Sequence, residues 1–405
     1  MLKQKNINTK IIITTYSLHN GGMEKSLLRL IKYLISLNYK PIILLTESKG
    51  EMYEEFLNMC EVKFIENKKW GAYHFLNHLK FEINSVNPEI LINICDKYTQ
   101  AIIPFLNKKI RIVSALRSED KYFLDLITSN EKFIDAYICN SPRIFDLITE
   151  KIRIKKDIFI IPNGYSYKES ATLINSRIVL DNEIKLLFIG RLAPEKNTNI
   201  LTEIITECNK RGILVSLDIV GDGIMKPILI KQIETLGFEN QINIHGFKSG
   251  KELIEFYKSS HLLIFSSIGE GLPNVLLEAQ YFGCVPIANL LPKITDYIVL
   301  NKITGYIVKN NEPVSFVSAI ETVWMNKQSW LEMSINAQEW IKNNFSMEIE
   351  RLNYFAAFDK ISSQKNSPKK INISSFYNIF KLINIKEFLP KSLFELLKRI
   401  KYFIT

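Results

Sequence analysis

The sequence predicts an α/β chain made of two doubly wound units, each a mostly parallel sheet covered by helices, and three observations carry that prediction. Short apolar runs alternate with amphipathic stretches of about ten to fifteen residues, the βαβ rhythm of a sheet buried on both faces. The rhythm stops at residues 163–183, NGYSYKESATLINSRIVLDNE, and starts again with EIKLLFIG (183–190). At 405 residues the chain also exceeds one compact core of usual size.

In the first series the expected strands are KIIITT (10–15), PIILLT (41–46), EILINI (89–94), RIVSAL (111–116), DAYICN (135–140) and DIFIIP (157–162). GMEKSLLRLIKYLISL and YHFLNHLKFEINSV place apolar residues at helical spacing between them. The second series runs through ILVSLDIVG, QINIHG, HLLIFS and CVPIA, with GYIV (305–308) as a late strand. Helices near 313–361 have no strands between them and are expected to cover the second unit and return toward the first. The expected domains are therefore residues 1–165, residues 183–345, a returning helix at 346–364 and a basic amphipathic tail at 365–405.

Composition narrows the function classes. Apolar residues make up 47% of the chain and charged residues 23%, so it is globular rather than disordered. No run of about eighteen uncharged apolar residues occurs, so no bilayer-spanning helix is expected. The opening MLKQKNINTKIIITTYS reads as a first strand and not a signal peptide. Cys60, Cys95, Cys139, Cys208 and Cys284 are widely spaced and form no CxxC pair, which fits a reduced, cytoplasmic chain. His74 and His78 stand at i and i+4, but no third ligand lies near, so they read as a helix face and no metal is expected. From Lys365 onward nine basic residues face two acidic ones, so most of the formal charge of +10 lies in the tail. That placement argues against nucleic acid and for an electrostatic extension, suited to the anionic inner face of the cytoplasmic membrane.

The chemistry is expected in loops at the carboxyl ends of strands, where ligands bind doubly wound sheets. In SLHNGGMEK, Gly21 and Gly22 would let a ligand approach the backbone at the start of a helix; a tight strand-to-helix turn is the bland alternative. In GRLAPEKN, Arg191 and Lys196 lie just beyond a strand with Pro194 between them, two cations suited to a diphosphate. IVGDG (219–223) lacks the third glycine of a dinucleotide fingerprint, so a nicotinamide enzyme is disfavoured and Asp222 is expected to cap the next helix. SSIGEGLPNVLLEAQYFG holds Glu270 in a turn, then Gly271, Leu272, Pro273 and Asn274 at a helix start with proline in the first turn, and Glu278 a turn later. Amides over 271–274 would face an anion, while the two carboxylates could each accept hydrogen bonds from a vicinal diol, as on a sugar or a ribose.

Together GGMEKSLLRL, FIGRLAPEKN, IVGDG, INIHGF and EGLPNVLLEAQYFGCVPIA resemble the retaining glycosyltransferases of family 4, over roughly residues 10–345. The resemblance implies the GT-B fold, two Rossmann-like domains facing a cleft, with the first on the acceptor side and the second binding the donor. It implies a nucleotide-diphosphate sugar as donor, UDP- or GDP-linked, transferred with retention and without a metal or other cofactor. By that resemblance Glu270 contacts the donor sugar, Glu278 the ribose, Arg191 and Lys196 the diphosphate, and Gly22 faces the phosphates. His245, Gly246 and Phe247 would flank the base through backbone atoms. Many relatives carry histidines after the fourth and fifth strands, where this chain reads NICDKY and ALRSED, leaving Asn93, Asp96 and Arg117 near those places. The segment IPNGYS also lacks the family's aspartate after the glycine.

The expected activity is transfer of a sugar to a polysaccharide or lipid-linked acceptor in bacterial surface glycan synthesis. A nucleotide-sugar epimerase of similar architecture and a non-enzymatic carbohydrate-binding protein are the alternatives.

Overall fold

A computed structural model describes residues 9–19, 21–66, 72–167 and 183–364. The described chain divides into two compact units. One comprises the residues up to Asn140, Ile144–Ile161 and the chain from Arg351; the other comprises Ser141–Arg143 and the described part of Pro162–Glu350.

The first unit holds a seven-stranded parallel sheet. Its strands are β1 (Thr9–Thr15), β2 (Tyr39–Leu45), β3 (Glu61–Phe64), β4 (Ile90–Ile94), β5 (Arg111–Leu116), β6 (Ala136–Cys139) and β7 (Asp157–Ile160), in the order β3-β2-β1-β4-β5-β6-β7. The connecting helices are α1 (Gly22–Ser36), α2 (Tyr53–Leu57), α3 (Ala72–Val86), α4 (Lys97–Ile102), α5 (Lys121–Thr128) and α6 (Pro142–Lys151). Because side chains alternate across a strand, Ile11 and Ile13 pack on one face with Leu27, Leu30 and Leu34 of α1, while Ile12 packs on the other with Phe75, Leu79 and Ile83 of α3. Each such buried isoleucine contributes about 1.5–3 kcal/mol relative to exposure, which is why β1 is apolar on both faces.

The second unit repeats the scheme with six parallel strands. They are β8 (Ile184–Ile189), β9 (Val215–Val220), β10 (Ile242–Gly246), β11 (Leu262–Phe265), β12 (Val285–Asn289) and β13 (Tyr306–Val308), in the order β10-β9-β8-β11-β12-β13. Helices α7 (Ile200–Lys210), α8 (Lys226–Leu236), α9 (Gly250–Ser259), α10 (Asn274–Tyr281), α11 (Thr295–Ile298), α12 (Pro313–Met325) and α13 (Lys327–Asn344) surround this sheet. Strand order reverses once in each unit, between β1 and β4 and between β8 and β11, and such a reversal opens a crevice at the carboxyl ends of the two strands.

The last described helix, α14 (Met347–Ser363), carries the chain back into the first unit. Its Tyr354, Phe358 and Ile361 are buried in the β1-side core, and the Arg111 guanidinium donates to the carbonyls of Ser362 (2.8 Å) and Gln364 (3.1 Å) at its end. Lys360 adds an ion pair with Asp157 at 2.8 Å.

Four local expectations change. Strand β3 was not foreseen, because EVKF is a short edge strand whose charges interrupt the apolar pattern. Pro273 is the residue before α10 and not in its first turn, so it offers no amide, and the expected row of amides over 271–274 is broken there. Asp222 does not cap α8: its carboxylate pairs with Lys226 (2.7 Å) and accepts from the Gly223 amide (2.8 Å), and these, the lysine first, hold it below its ordinary pKa. The segment after Pro162 keeps order for several residues, with the Tyr165 amide bonded to the Phe345 carbonyl at 2.7 Å. The basic tail at 365–405 lies outside the described residues. Among the described residues, no helix is long and apolar enough to cross a membrane.

All five cysteines are free thiols, four of them buried and Cys60 partly so. Burial pushes the thiols of Cys60, Cys95 and Cys208 up to about 12.

The glycines of IVGDG have a steric role. A Cβ on Gly221, at φ +152°, would lie 1.9 Å from the Gly190 carbonyl oxygen, and one on Gly223, at φ +155°, would lie 2.3 Å from that of Leu192. The turn after β9 thereby packs directly on the loop after β8. Gly221→Ala is expected to lower stability by about 1–3 kcal/mol through this overlap; an unchanged urea midpoint would refute the close approach.

Candidate active site

A cluster of polar side chains lies in the second unit at the reversal between β8 and β11. The chain leaving β8 has Leu192 and Ala193 buried, so the loop cannot swing away, and Pro194–Lys196 forms a single 3-10 turn. Asn197 takes a left-handed conformation (φ 49°) and ends the turn directly after Lys196. The loop leaving β11 is stitched to it. The Ser266 hydroxyl donates to the Lys196 carbonyl (2.8 Å) and the Ile268 amide to the Glu195 carbonyl (2.9 Å). Asn289 and Asn311 brace the same loop from behind, donating to the carbonyls of Ser267 (3.0 Å) and Ser266 (2.9 Å).

This scaffold brings the ammonium of Lys196 onto the carboxylate of Glu270, with both side chains about four-fifths buried (20% and 18% exposed). Two of the expected site residues therefore meet across the crevice. Arg191 does not join them: its side chain is 72% exposed and pairs with Glu195 at 2.7 Å. Of the two expected cations, one is thus held by an acid and the other stands exposed on the rim.

Glu278 lies on α10, where its carboxylate accepts a hydrogen bond from the Tyr257 hydroxyl at 2.6 Å. Burial, with the Glu278 charge second, pushes the Tyr257 phenol well above its ordinary range, so it stays a donor. Tyr257 was not foreseen. Within LIEFYKSS it reads as one more apolar position of a helix face, and only its stacking on Phe282 (5.9 Å) and its bond to Glu278 reveal its role.

Of the helix start, Leu272 and Pro273 have buried side chains, while Asn274 accepts from Asn163 at 2.8 Å; Gly271 precedes them in the turn. At the end of β10, His245 pairs with Asp218 at 2.6 Å and packs against Phe256 (4.6 Å). Gly246 has φ +69° and Phe247 is exposed beside it. The arrangement offers a cation, two carboxylates and backbone amides around one sheet edge, a set that suits phosphate and hydroxyl ligands. Among the described residues, no group of three or more histidine, cysteine or acidic side chains could hold a metal ion.

In the first unit, Gly21 precedes α1 and Gly22 is its first residue. A Cβ on Gly21 would lie 2.7 Å from the Glu24 carboxylate, which is buried and whose pKa burial raises. Asn93 and Asp96, which stand where the family's histidine was sought, are engaged within the fold. Asn93 donates to the Asp96 carbonyl (3.2 Å) and to Gln100 (2.9 Å), while Asp96 caps α4 at the Thr99 amide (2.8 Å) and accepts from Thr46 (2.5 Å). Arg117 donates to Ser26 (2.6 Å) and to Tyr354 of α14 (2.5 Å).

Two outcomes follow from these bonds. Tyr257→Phe removes the donor to Glu278 and is expected to cost about 1–2 kcal/mol of stability, read from denaturant unfolding; no change would show that the bond contributes nothing. Burial raises the Asp96 pKa above its unfolded value, so this group's contribution to stability is fully present at low pH. It is lost as pH rises from about 4 through the folded value. Asp96→Asn is expected to flatten that slope, and an equally steep profile in the variant would place the titrating group elsewhere.

Comparison with known proteins places these residues in context. Residues 172–340 match the family model described as Glycosyl transferases group 1, a span that contains Arg191, Lys196, His245, Glu270 and Glu278. The chain is 22% identical over 291 residues to the amylovoran biosynthesis glycosyltransferase AmsD of Erwinia amylovora, covering 69% of this chain and 80% of that protein. It is 21% identical over 347 residues to an undecaprenol-linked glycan alpha-1,4-N-acetyl-D-galactosaminyltransferase of Campylobacter jejuni, covering 82% and 94%. Among solved structures, a glycosyltransferase from Rickettsia africae superposes with a TM-score of 0.75 at 17% identity, covering 88% of this chain and 100% of that one. HepE of Anabaena, solved with UDP and glucose, superposes at 0.71 and 17% identity, covering 87% and 100%. The chain has the GT-B fold and is a glycosyltransferase.

Proposed function

We propose that this enzyme moves a sugar from a nucleotide-diphosphate donor, UDP- or GDP-linked, to a glycan or lipid-linked acceptor with retention of configuration, in bacterial surface glycan synthesis. The observation that carries the reading is the Lys196–Glu270 pair at the strand reversal of the second unit, inside the span that matches the family model. The relatives named for amylovoran biosynthesis and for an undecaprenol-linked acceptor, and the HepE structure holding UDP and glucose, support the donor and acceptor classes.

In this reading the paired groups exchange partners on binding. A diphosphate takes the Lys196 ammonium, and Glu270, released from it, accepts hydrogen bonds from hydroxyls of the donor sugar. Arg191 supplies a second cation from the rim, Glu278 holds the ribose diol, and Gly271 and Asn274 offer amides to the phosphates. His245, Gly246 and Phe247 line the base. The bond from anomeric carbon to phosphate oxygen breaks, the diphosphate leaves with its electron pair, and the acceptor oxygen forms the new bond on the same face. The acceptor's proton passes to the departing phosphate. Lys196 stabilises that growing charge, an effect on the order of 2–4 kcal/mol of barrier by analogy with oxyanion donors. The basic segment 365–405 suits attachment to an anionic membrane, where lipid-linked acceptors reside.

Screening UDP- and GDP-sugars for thermal stabilisation tests the donor class, since a ligand at about a hundred times its Kd adds about 2.7 kcal/mol. With the stabilising donor, Lys196→Ala is expected to keep its circular dichroism spectrum and lose about a hundredfold or more in kcat. Wild-type turnover in that variant would overturn the assignment. Conversion of the donor to its epimer without any acceptor would favour an epimerase.

A further inference from the structure

We propose that Asn163 is a positioning residue for the donor's diphosphate: by taking up the oxygen of the Asn274 carboxamide, it leaves only N–H donors on that side chain for a phosphate to meet. This inference rests on the donor reading above and adds to it a residue from outside the donor loops.

Asn274 is the first residue of α10, four positions after Glu270, and it is partly exposed. A carboxamide can turn either end outward, its oxygen as an acceptor or its nitrogen with two N–H donors. Here Asn163 makes the choice, because its Nδ2 donates to Asn274 Oδ1 at 2.8 Å. The Asn274 side-chain nitrogen has no hydrogen-bond partner among the described residues. Local structure does not fix the orientation, since α10 follows Pro273 and starts without a side-chain cap.

Asn163 can impose this orientation because it is itself held. It is 5% exposed. Its neighbour Gly164 lies so close to the connection between α13 and α14 that a Cβ there would be 2.6 Å from the Ser346 carbonyl oxygen. The Tyr165 ring packs edge-on to Tyr281 at 5.0 Å. The Tyr167 amide donates to the Tyr281 hydroxyl (3.1 Å), which donates in turn to the Tyr167 carbonyl (3.2 Å). Tyr281 ends α10, so residues 163–167 are bonded to that helix at its first and its last residue.

A phosphate oxygen is a charged acceptor, drawn to N–H groups and repelled by a carbonyl oxygen. Without Asn163 the carboxamide is free to turn its oxygen toward the diphosphate. A nucleoside carries no phosphate and is indifferent to that turn. This difference separates positioning from a general loosening of the fold.

Titration calorimetry of the full chain with UDP and GDP, beside saturation-transfer NMR with uridine and guanosine, tests the assignment. For the nucleotide that the wild-type chain binds, Asn274→Ala is expected to weaken binding about tenfold and Asn163→Ala about three- to tenfold. Binding of the matching nucleoside should be unchanged in both. The double variant should bind no more weakly than Asn274→Ala, since Asn163 acts through Asn274. Wild-type nucleotide affinity in folded Asn163→Ala, an equal loss for the nucleoside, or additive losses in the double variant would each overturn the proposal. Should Asn163→Ala fail to fold, Asn163→Leu, similar in volume to the native residue, takes its place, and undiminished nucleotide binding by Asn274→Ala overturns the proposal by itself. A wild-type chain that binds neither nucleotide would sink the donor reading and this inference with it; nucleotide binding that Asn163→Ala does not alter would sink this inference alone.

Discussion

The second unit is organised around an ion pair that spans the reversal of its strand order. Lys196 arrives from β8 and Glu270 from β11, adjacent strands that are far apart in sequence, and their loops are bonded to each other through Ser266 and Ile268 before the side chains meet. Neither group could be held in this position by local sequence alone. Taking a charge out of water is costly unless it is paired, so in the ligand-free protein each group satisfies the other. In the proposed donor complex, a diphosphate sugar brings a negative charge for the lysine and hydroxyls for the acid, and so replaces both interactions at once. On that proposal the site is preorganised, since both charges are already about four-fifths buried.

A different division of labour governs the polar residues of the first unit. Those that are deeply buried, Asn93, Asp96 and Gln100, bond to one another and to backbone, and their loss would be felt as lost folding energy. Those nearer the surface, Glu47 and Lys97, pair with each other at 2.6 Å with about a third or more of each side chain exposed. The left-handed Cys95 (φ 53°), between Ile94 and Asp96, turns the chain so that the buried acid faces inward and the following lysine outward. Such strained positions concentrate where a ligand must be approached.

The architecture was largely legible because both sheets are parallel and buried on both faces, which writes each strand as a compact apolar run. EVKF escaped because an edge strand needs no such run. Lys196 and Glu270 stood out in the sequence as loop positions after strands and Glu278 as an acid in an apolar helix, whereas their partners did not: nothing local in the sequence says that Tyr257 faces Glu278 or that Arg191 turns to Glu195. Asn93 and Asp96 show the limit of position alone. They stand near the right strand end, but burial and hydrogen bonding, which depend on chain segments fifty residues away such as Thr46, decide that they serve the fold. Likewise the two glycines after β9 resemble part of a nucleotide fingerprint, yet what demands them is the carbonyl of a neighbouring loop.

The thiols described above bear on how this enzyme can be observed. Four cysteines are enclosed in the cores, away from alkylating dyes, and burial pushes the partly covered Cys60 thiol up to about 12, so the thiolate that such dyes attack is scarce there. A single cysteine introduced at an exposed site would thus carry a fluorophore almost alone, and movement of loops during turnover could be followed without first stripping the native sulfur from the chain.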